Sequence, residues 1–414
     1  MLHRAERHEA LSDAAWSEAR ARETMAAIVD ETVARFHPRA LWPAHPGNTA
    51  DEGRPGPIYP LYAGAAGVMW ALHRLHALGA VELDTTFIAS LDDTLAGLLD
   101  ASHAVLAADD TERASFFIRD AGILLLQWKR LGGDARADAL YAIVEGNLRN
   151  PARESLWGSP GTLVAAIHMA EATGDARWAE LLRRGVDILR EEMHEATHSG
   201  APQRPVRIWT QDLYGRTVQY MGAGHGYAGN VFPVLRGAKL LDPAQVRAFE
   251  ELTHDALDVC AVREGEAVNW EPMFDPAAAG HGSRMLMQDC HGAPGMVNRL
   301  ASTTHDGLRA LLAAGGEAIW RAGPLAKPPG LCHGTDGNGY AFLKLFDATG
   351  DERWLDRARA YAMHACAQSD RQAAGIGHRR YSLWTGDLGL ALYVQACLNA
   401  PTGARAELPT LDVF

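Results

Sequence analysis

Two short segments carry the residue types that chemistry most often needs. Asp289-Cys290-His291-Gly292-Ala293-Pro294-Gly295 and Leu331-Cys332-His333-Gly334-Thr335-Asp336-Gly337 each set a Cys-His pair directly before a Gly-x-x-Gly turn. Thiolate and imidazole suit zinc, and a catalytic zinc takes three protein ligands and keeps a fourth position open. One such pair alone also reads as a small buried hydrophobe beside a core histidine. Two pairs at the same place of a repeat favour a shared site, where two thiolates and an imidazole converge. About 40 residues separate the pairs, far more than in a zinc finger. The fold as a whole must therefore bring them together.

The elements that would do so are repeats. Gly158 opens GSPGTLVAAIHMAEATGDARW and Gly334 opens GTDGNGYAFLKLFDATGDERW, in register without a gap to Trp178 and Trp354. A weaker copy, RDAGILLLQWKRLGGDARADAL, starts at Arg119. The opening Gly-x-x-Gly, or a near copy, occurs seven times, at 64–67, 119–122, 158–161, 226–229, 292–295, 334–337 and 386–389. That spacing suits helical-pair repeats. A strongly apolar run follows each copy, such as VMWALHRL after Gly67 and LALYVQACL after Gly389. These runs are expected to form buried inner helices. The next helix of each repeat is amphipathic: Trp178, Leu181, Leu182, Val186 and Leu189 share one face, as do Val246, Phe249, Leu252, Ala256 and Cys260. Asp242 before Pro243 marks one outer-helix start. Strand signals are few. The expectation is an all-α protein, an α/α toroid with seven inner and seven outer helices, spanning residues 1–414 as one domain. The glycines would serve close backbone packing or positive φ. They are not phosphate loops, because the Lys-Ser/Thr of a P-loop is absent.

Composition narrows the function. The chain has 414 residues and a net charge of −12, without a basic stripe, which argues against nucleic acid. Five cysteines, Cys260, Cys290, Cys332, Cys366 and Cys397, do not read as a disulfide framework and suit a reducing compartment. No signal-peptide pattern opens the sequence and no long apolar span appears. A cytoplasmic location is expected.

DCHGAPG, LCHGTDGNGYAFLKL, GAGHGYAG and the seven-fold turn array resemble the lanthionine synthetase C-like family over nearly the whole chain. The likeness is greater to its free-standing, glutathione-related members than to the peptide-cyclising ones. The resemblance implies the same seven-fold toroid. It implies zinc ligation by Cys290, Cys332 and His333, with His291 outside the ligand set. It also implies a functional histidine, His225, in Gly222-Ala223-Gly224-His225-Gly226. Asp120 of Asp120-Ala121-Gly122 would orient or recharge that histidine, with helix N-capping as its rival role. Arg119 stands where most members have glycine. Arg4 and Lys327 are implied as cations for the carboxylates of glutathione; a solvated surface cation is the alternative for each. Arg284 lies near the zinc turn, but its spacing does not match an enolate-stabilising role. The segment 202–220, rich in Trp, Tyr, Arg and Gln, could form a lid.

The activity implied is addition of a zinc-activated thiol to a dehydroalanine or dehydrobutyrine residue of a peptide or protein, with His225 as the acid. Rival readings are a lanthipeptide cyclase acting on a precursor peptide, a zinc- and glutathione-binding adaptor without turnover, and an α/α-barrel carbohydrate enzyme. The last needs two carboxylates flanking a cleft, and it leaves the Cys-His turns unexplained.

Overall fold

The computed structural model describes residues 1–46, 56–105 and 113–414. Each Gly-x-x-Gly turn opens a helix at its second residue. The seven helices are Ala65–Ala77, Asp120–Leu131, Ser159–Thr173, Tyr227–Arg236, Ala293–Leu300, Thr335–Thr349 and Asp387–Asn399. They are buried on nearly every side over their first turns. In Ser159–Thr173 every residue from Ser159 to Ala170 is buried, so this helix has no solvent face to pattern. Each of the seven packs on the next, and the seventh packs on the first. The result is a closed inner ring.

The outer ring is Glu18–Ala34, Thr85–Ala96, Asp134–Gly146, Ala176–Glu191, Pro243–Cys260, Asp306–Ala322 and Glu352–Ile376. Ala176–Glu191 buries the stripe expected of it, Trp178, Leu181, Leu182, Val186 and Leu189. Asp175 caps it by accepting from the Arg177 N–H. In Pro243–Cys260 the buried stripe is shifted to Phe249, Thr253, Ala256, Leu257 and Cys260, while Val246 and Leu252 are only partly covered. The first outer helix, Glu18–Ala34, packs on the last inner helix, Asp387–Asn399. The two ends of the chain thereby complete the same repeat.

The second glycine of each turn has one packing reason. A Cβ there would lie between 1.8 and 2.6 Å from the carbonyl oxygen six residues earlier, for example 1.8 Å from Asp289 O at Gly295 and 1.9 Å from Leu331 O at Gly337. The turn folds back on its helix too tightly for any side chain. Gly292 alone among the seven turn-opening residues has a left-handed φ, +104°. Close approach, rather than positive φ, is thus the general cause.

Among the described residues three two-stranded hairpins interrupt the helices: His194–Ala196 with Val206–Ile208, Gln211–Leu213 with Arg216–Val218, and Ala261–Glu264 with Ala267–Trp270. The first two fall largely in the segment expected to form a lid. The third turns at Gly265, φ +61°, a Gly-first two-residue turn. Among the described residues no helix is long and apolar enough to cross a membrane.

Candidate functional site

The fifth and sixth inner helices are neighbours, and so are the turns that open them. The Cys290 N–H reaches Cys332 O at 3.4 Å, and the Cys332 N–H donates to Trp384 O of the seventh turn at 2.9 Å. Consecutive turns are thus tied together by main-chain bonds. One ligand atom from each of Cys290, Cys332 and His333 lies within 4.8 Å of the other two. Cys332 Sγ and His333 Nε2 are 3.5 Å apart. A tetrahedral zinc at its usual bond lengths spaces its ligands by roughly 3.5–3.8 Å, so the pocket needs little adjustment to close on the ion.

The electrostatics point the same way. The buried Cys290 thiol is pushed well above its ordinary value, first by its hydrogen bond with Cys332, then by burial and the charge of Cys332, with the His333 imidazole opposing. Two thiolates do not share a dry pocket without a cation between them. Two sulfurs and one imidazole nitrogen are the soft and borderline donors that zinc takes, and the residues present fit that ion. Gln288 Nε2 donates to Cys290 Sγ at 3.0 Å. Beneath the turn, Asp289 forms a two-pronged ion pair with Arg299, at 3.1 and 2.9 Å, both residues almost fully buried. This pair holds the chain one residue before the first ligand.

The fourth turn lies flat on the fifth. A Cβ on Gly222 would be 2.2 Å from Cys290 O and 2.7 Å from His291 Nδ1, and the Gly224 N–H reaches Cys290 O at 3.2 Å. This contact brings His225 to the metal pocket. His225 Nδ1 is 2.9 Å from Glu154 Oε2. Glu154 is fully buried, and its carboxylate also accepts the N–H groups of Leu156 and Trp157, at 3.0 and 2.5 Å. It is therefore anchored as an acceptor for the imidazole. Burial opposes charge on His225, but the Glu154 hydrogen bond and charge, with Cys290, outweigh it, and its pKa is raised. The His291 ring lies 5.9 Å away. Burial, then the charges of His225, His333 and Arg284, push His291 down to about 3. Of the two neighbouring rings, His225 is the one whose surroundings favour the proton.

Asp120, expected to orient or recharge His225, lies against another histidine. Its carboxylate bonds His103 Nε2 at 2.7 Å, and burial, opposed by His103, raises its pKa. It does not cap the helix either, being the first residue inside it, with Arg119 in the cap position. The carboxylate on His225 is Glu154, which the sequence reading missed. It precedes the third turn by four residues, in Pro151-Ala-Arg-Glu-Ser-Leu-Trp-Gly158, where nothing local links it to a histidine 71 residues on.

The two expected cations lie in segments that run side by side. His8 bridges Leu325 in antiparallel fashion, the Ala326 N–H donates to Arg7 O at 2.9 Å, and the Glu9 N–H donates to Pro324 O at 3.0 Å. Lys327 is exposed at the end of this pairing. Arg4 is also exposed, with one long contact to Ser283 O at 3.5 Å. Arg7, not singled out from sequence, reaches Gln288 Oε1 at 3.3 Å, one residue removed from Cys290 Sγ. Arg284 is exposed, and its main-chain N–H is bonded to Glu271.

A family model described as lanthionine synthetase C-like protein matches residues 56–405. Glutathione S-transferase LANCL1 of Danio rerio is 28% identical over 371 residues, covering 85% of this chain and 84% of that protein. LanC-like protein GCL1 of Arabidopsis thaliana is 38% identical over 156 residues, 36% of this chain and 33% of that one. Among solved structures, nisin cyclase superposes with a TM-score of 0.60 over 88% of this chain and 94% of its own, at 12% identity. At that identity the likeness shows a shared fold.

Proposed function

Given that this chain belongs to the lanthionine synthetase C-like family, we propose that it is a cytoplasmic, zinc-dependent enzyme joining the thiol of glutathione to a dehydroalanine- or dehydrobutyrine-type alkene in a peptide or protein. The observation that carries the reading is the meeting of a three-donor metal pocket, Cys290, Cys332 and His333, with a proton-holding His225 backed by a buried carboxylate. When bound there, zinc supplies the positive charge that keeps a substrate thiol deprotonated near neutral pH.

The remaining chemistry belongs to the chain. The sulfur adds to the β-carbon of the alkene, and the electron pair of the double bond moves toward the adjoining carbonyl. His225 then delivers a proton to the α-carbon. Its Nδ1–H is committed to Glu154, so Nε2 is the nitrogen left to donate. The proton lost by the thiol balances the one gained at carbon, and the product is a thioether. Arg4 and Lys327 serve the two carboxylates of glutathione. Their placement on the paired segments beside the Gln288–Cys290 turn supports this assignment, as does the name carried by the Danio rerio relative. Asp120 is left with a structural part beside His103.

Native mass spectrometry with metal analysis, followed by incubation with glutathione and a dehydroalanine peptide, tests the reading. One zinc per chain, glutathione bound to the zinc form and a product heavier by one glutathione are expected. A protein that consumes the peptide only through the peptide's own cysteine is a cyclase. One that binds glutathione and leaves the alkene untouched is an adaptor.

A further inference from the structure

One feature of the same mouth is unused by the chemistry above. Of the seven turns, six open on glycine and the second opens on Arg119. Its guanidinium is half-buried, and its one hydrogen bond among the described residues runs to the carbonyl of its own neighbour, Ile118, at 3.0 Å. Its Nε is buried without an acceptor. Among the described residues it forms no ion pair, in a protein whose other arginines are repeatedly paired. The adjacent Asp120 is engaged with His103.

The cation is not isolated from the site. It lies over the Trp157 ring, 5.6 Å from its centroid. The Trp157 indole N–H donates to Tyr214 Oη at 3.2 Å. The Tyr214 ring packs edge-on against His225 at 5.8 Å. Tyr214 stands at a hairpin tip with φ +55° and is 65% exposed. A large aromatic residue placed at a left-handed turn position outside the core adds little to stability, and such outliers gather at functional sites. Trp157 and Glu154 belong to one turn, so the turn that backs the acid also presents the aromatic shelf.

We infer that Arg119, Trp157 and Tyr214 form the subsite for the electrophilic chain, and that this subsite selects a peptide carrying an oxyanion, an acidic or phosphorylated side chain, a few residues from the dehydroamino acid. The strip leads from His225, where the alkene must lie to receive its proton, across two aromatic faces that stack on a backbone or side chain without regard to sequence, to a half-buried guanidinium whose Nε has no acceptor among the described residues. A carboxylate or phosphate supplies that acceptor with charge-assisted hydrogen bonds. Its two outer steps, from cation to ring and from ring to ring, are 5.6 and 5.8 Å, the scale of a few residues of extended chain at roughly 3.3–3.6 Å each. Glutathione's proposed cations, Arg4 and Lys327, lie on the segments that lead into the fifth and sixth turns, so Arg119 on the second is left for the other substrate. The inference rests on the proposed reaction, but it is read by binding alone.

The test uses zinc-loaded full-length protein and fluorescein-labelled peptides in which alanine replaces the dehydroalanine, so that no turnover is required. Glutamate, phosphoserine, glutamine or lysine is placed three residues from that alanine, on either side in turn. Anisotropy should show the two oxyanion peptides binding about tenfold more tightly than the glutamine and lysine ones, and the tighter of the two identifies the natural oxyanion. Arg119→Gln should abolish the preference and Arg119→Lys should keep part of it, while glutathione binding by calorimetry stays at the wild-type value. Tyr214→Ala should weaken all four peptides alike and keep their order. Equal binding of all four peptides by the wild type overturns the inference. So does an Arg119→Gln protein, with normal zinc content and helicity, that loses glutathione or loses every peptide equally. Loss of turnover alone would count against the reaction and leave this binding order standing.

Discussion

At the scale of single residues, the assignments separate metal, acid and thiol binding. Cys332→Ala should drop zinc from one equivalent to a small fraction, by metal analysis after dialysis, whereas Cys366→Ala, buried within an outer helix, should keep it. Retention of a full equivalent by the Cys332 variant would refute the ligand set. His225→Ala should leave glutathione binding intact and slow addition by roughly 10²–10⁴-fold. Glu154 gives a sharper test. It raises the His225 pKa above 6.5, so the acid is loaded below that raised value and is lost as pH climbs through it. Turnover should therefore fall on the alkaline side. Glu154→Gln removes the charge that holds the proton, and the alkaline limb should move to lower pH; a limb that does not move would detach Glu154 from the acid. The same sign holds for folding: the His225–Glu154 pair contributes stability that is full below 6.5 and fades as pH rises through the raised value. Lys327→Ala, at an exposed site, should cost glutathione affinity only about two- to fivefold, read by calorimetry.

At the scale of elements, the turns set the distances. Gly222→Ala places a Cβ within 2.2 Å of Cys290 O, so the fourth turn must lift from the fifth. The expected result is a loss of about 1–3 kcal/mol by denaturant titration, with turnover falling further than stability alone explains. Asp289→Ala strands the buried Arg299 guanidinium, and a broken buried pair costs about 3–5 kcal/mol. An effect under 1 kcal/mol would show that water reaches the pair. The turns were legible in the sequence because seven copies of one constraint repeat, and the two Cys-His copies stood out against the other five. The outer helix Ala176–Glu191 was legible through its 3.6-residue stripe. Glu154 was not, since a carboxylate whose partner lies in the next repeat has no periodic signature. The Ala261–Trp270 hairpin was hidden for another reason. All four residues of its second strand are buried, so the in-out alternation that marks a strand is absent. The contact of Asp120 with His103 was not legible either, since the local Asp-Ala-Gly pattern says nothing of a histidine 17 residues earlier.

At the scale of the whole molecule, the ring has no free end. Open helical repeats fray from their termini because the last unit has one neighbour. Here the first and seventh inner helices pack on each other, and Glu18–Ala34 covers the seventh. Native-state hydrogen exchange should therefore protect Ala65–Ala77 and Asp387–Asn399 about as strongly as Ser159–Thr173, and a hundredfold faster exchange at those two helices would mean that the closure opens readily. The chain direction adds a consequence in time. Helix Glu18–Ala34 leaves the ribosome more than 300 residues before its partner Asp387–Asn399. At about 5–20 residues per second, the helix waits on the order of 20–70 s before the surface it covers exists. Through that interval its apolar stripe of Ala21, Met25, Ile28 and Val29 is a standing offer to chaperones, or to the same stripe on a neighbouring nascent chain. Newly made protein should thus be most aggregation-prone just before Asp387–Asn399 emerges.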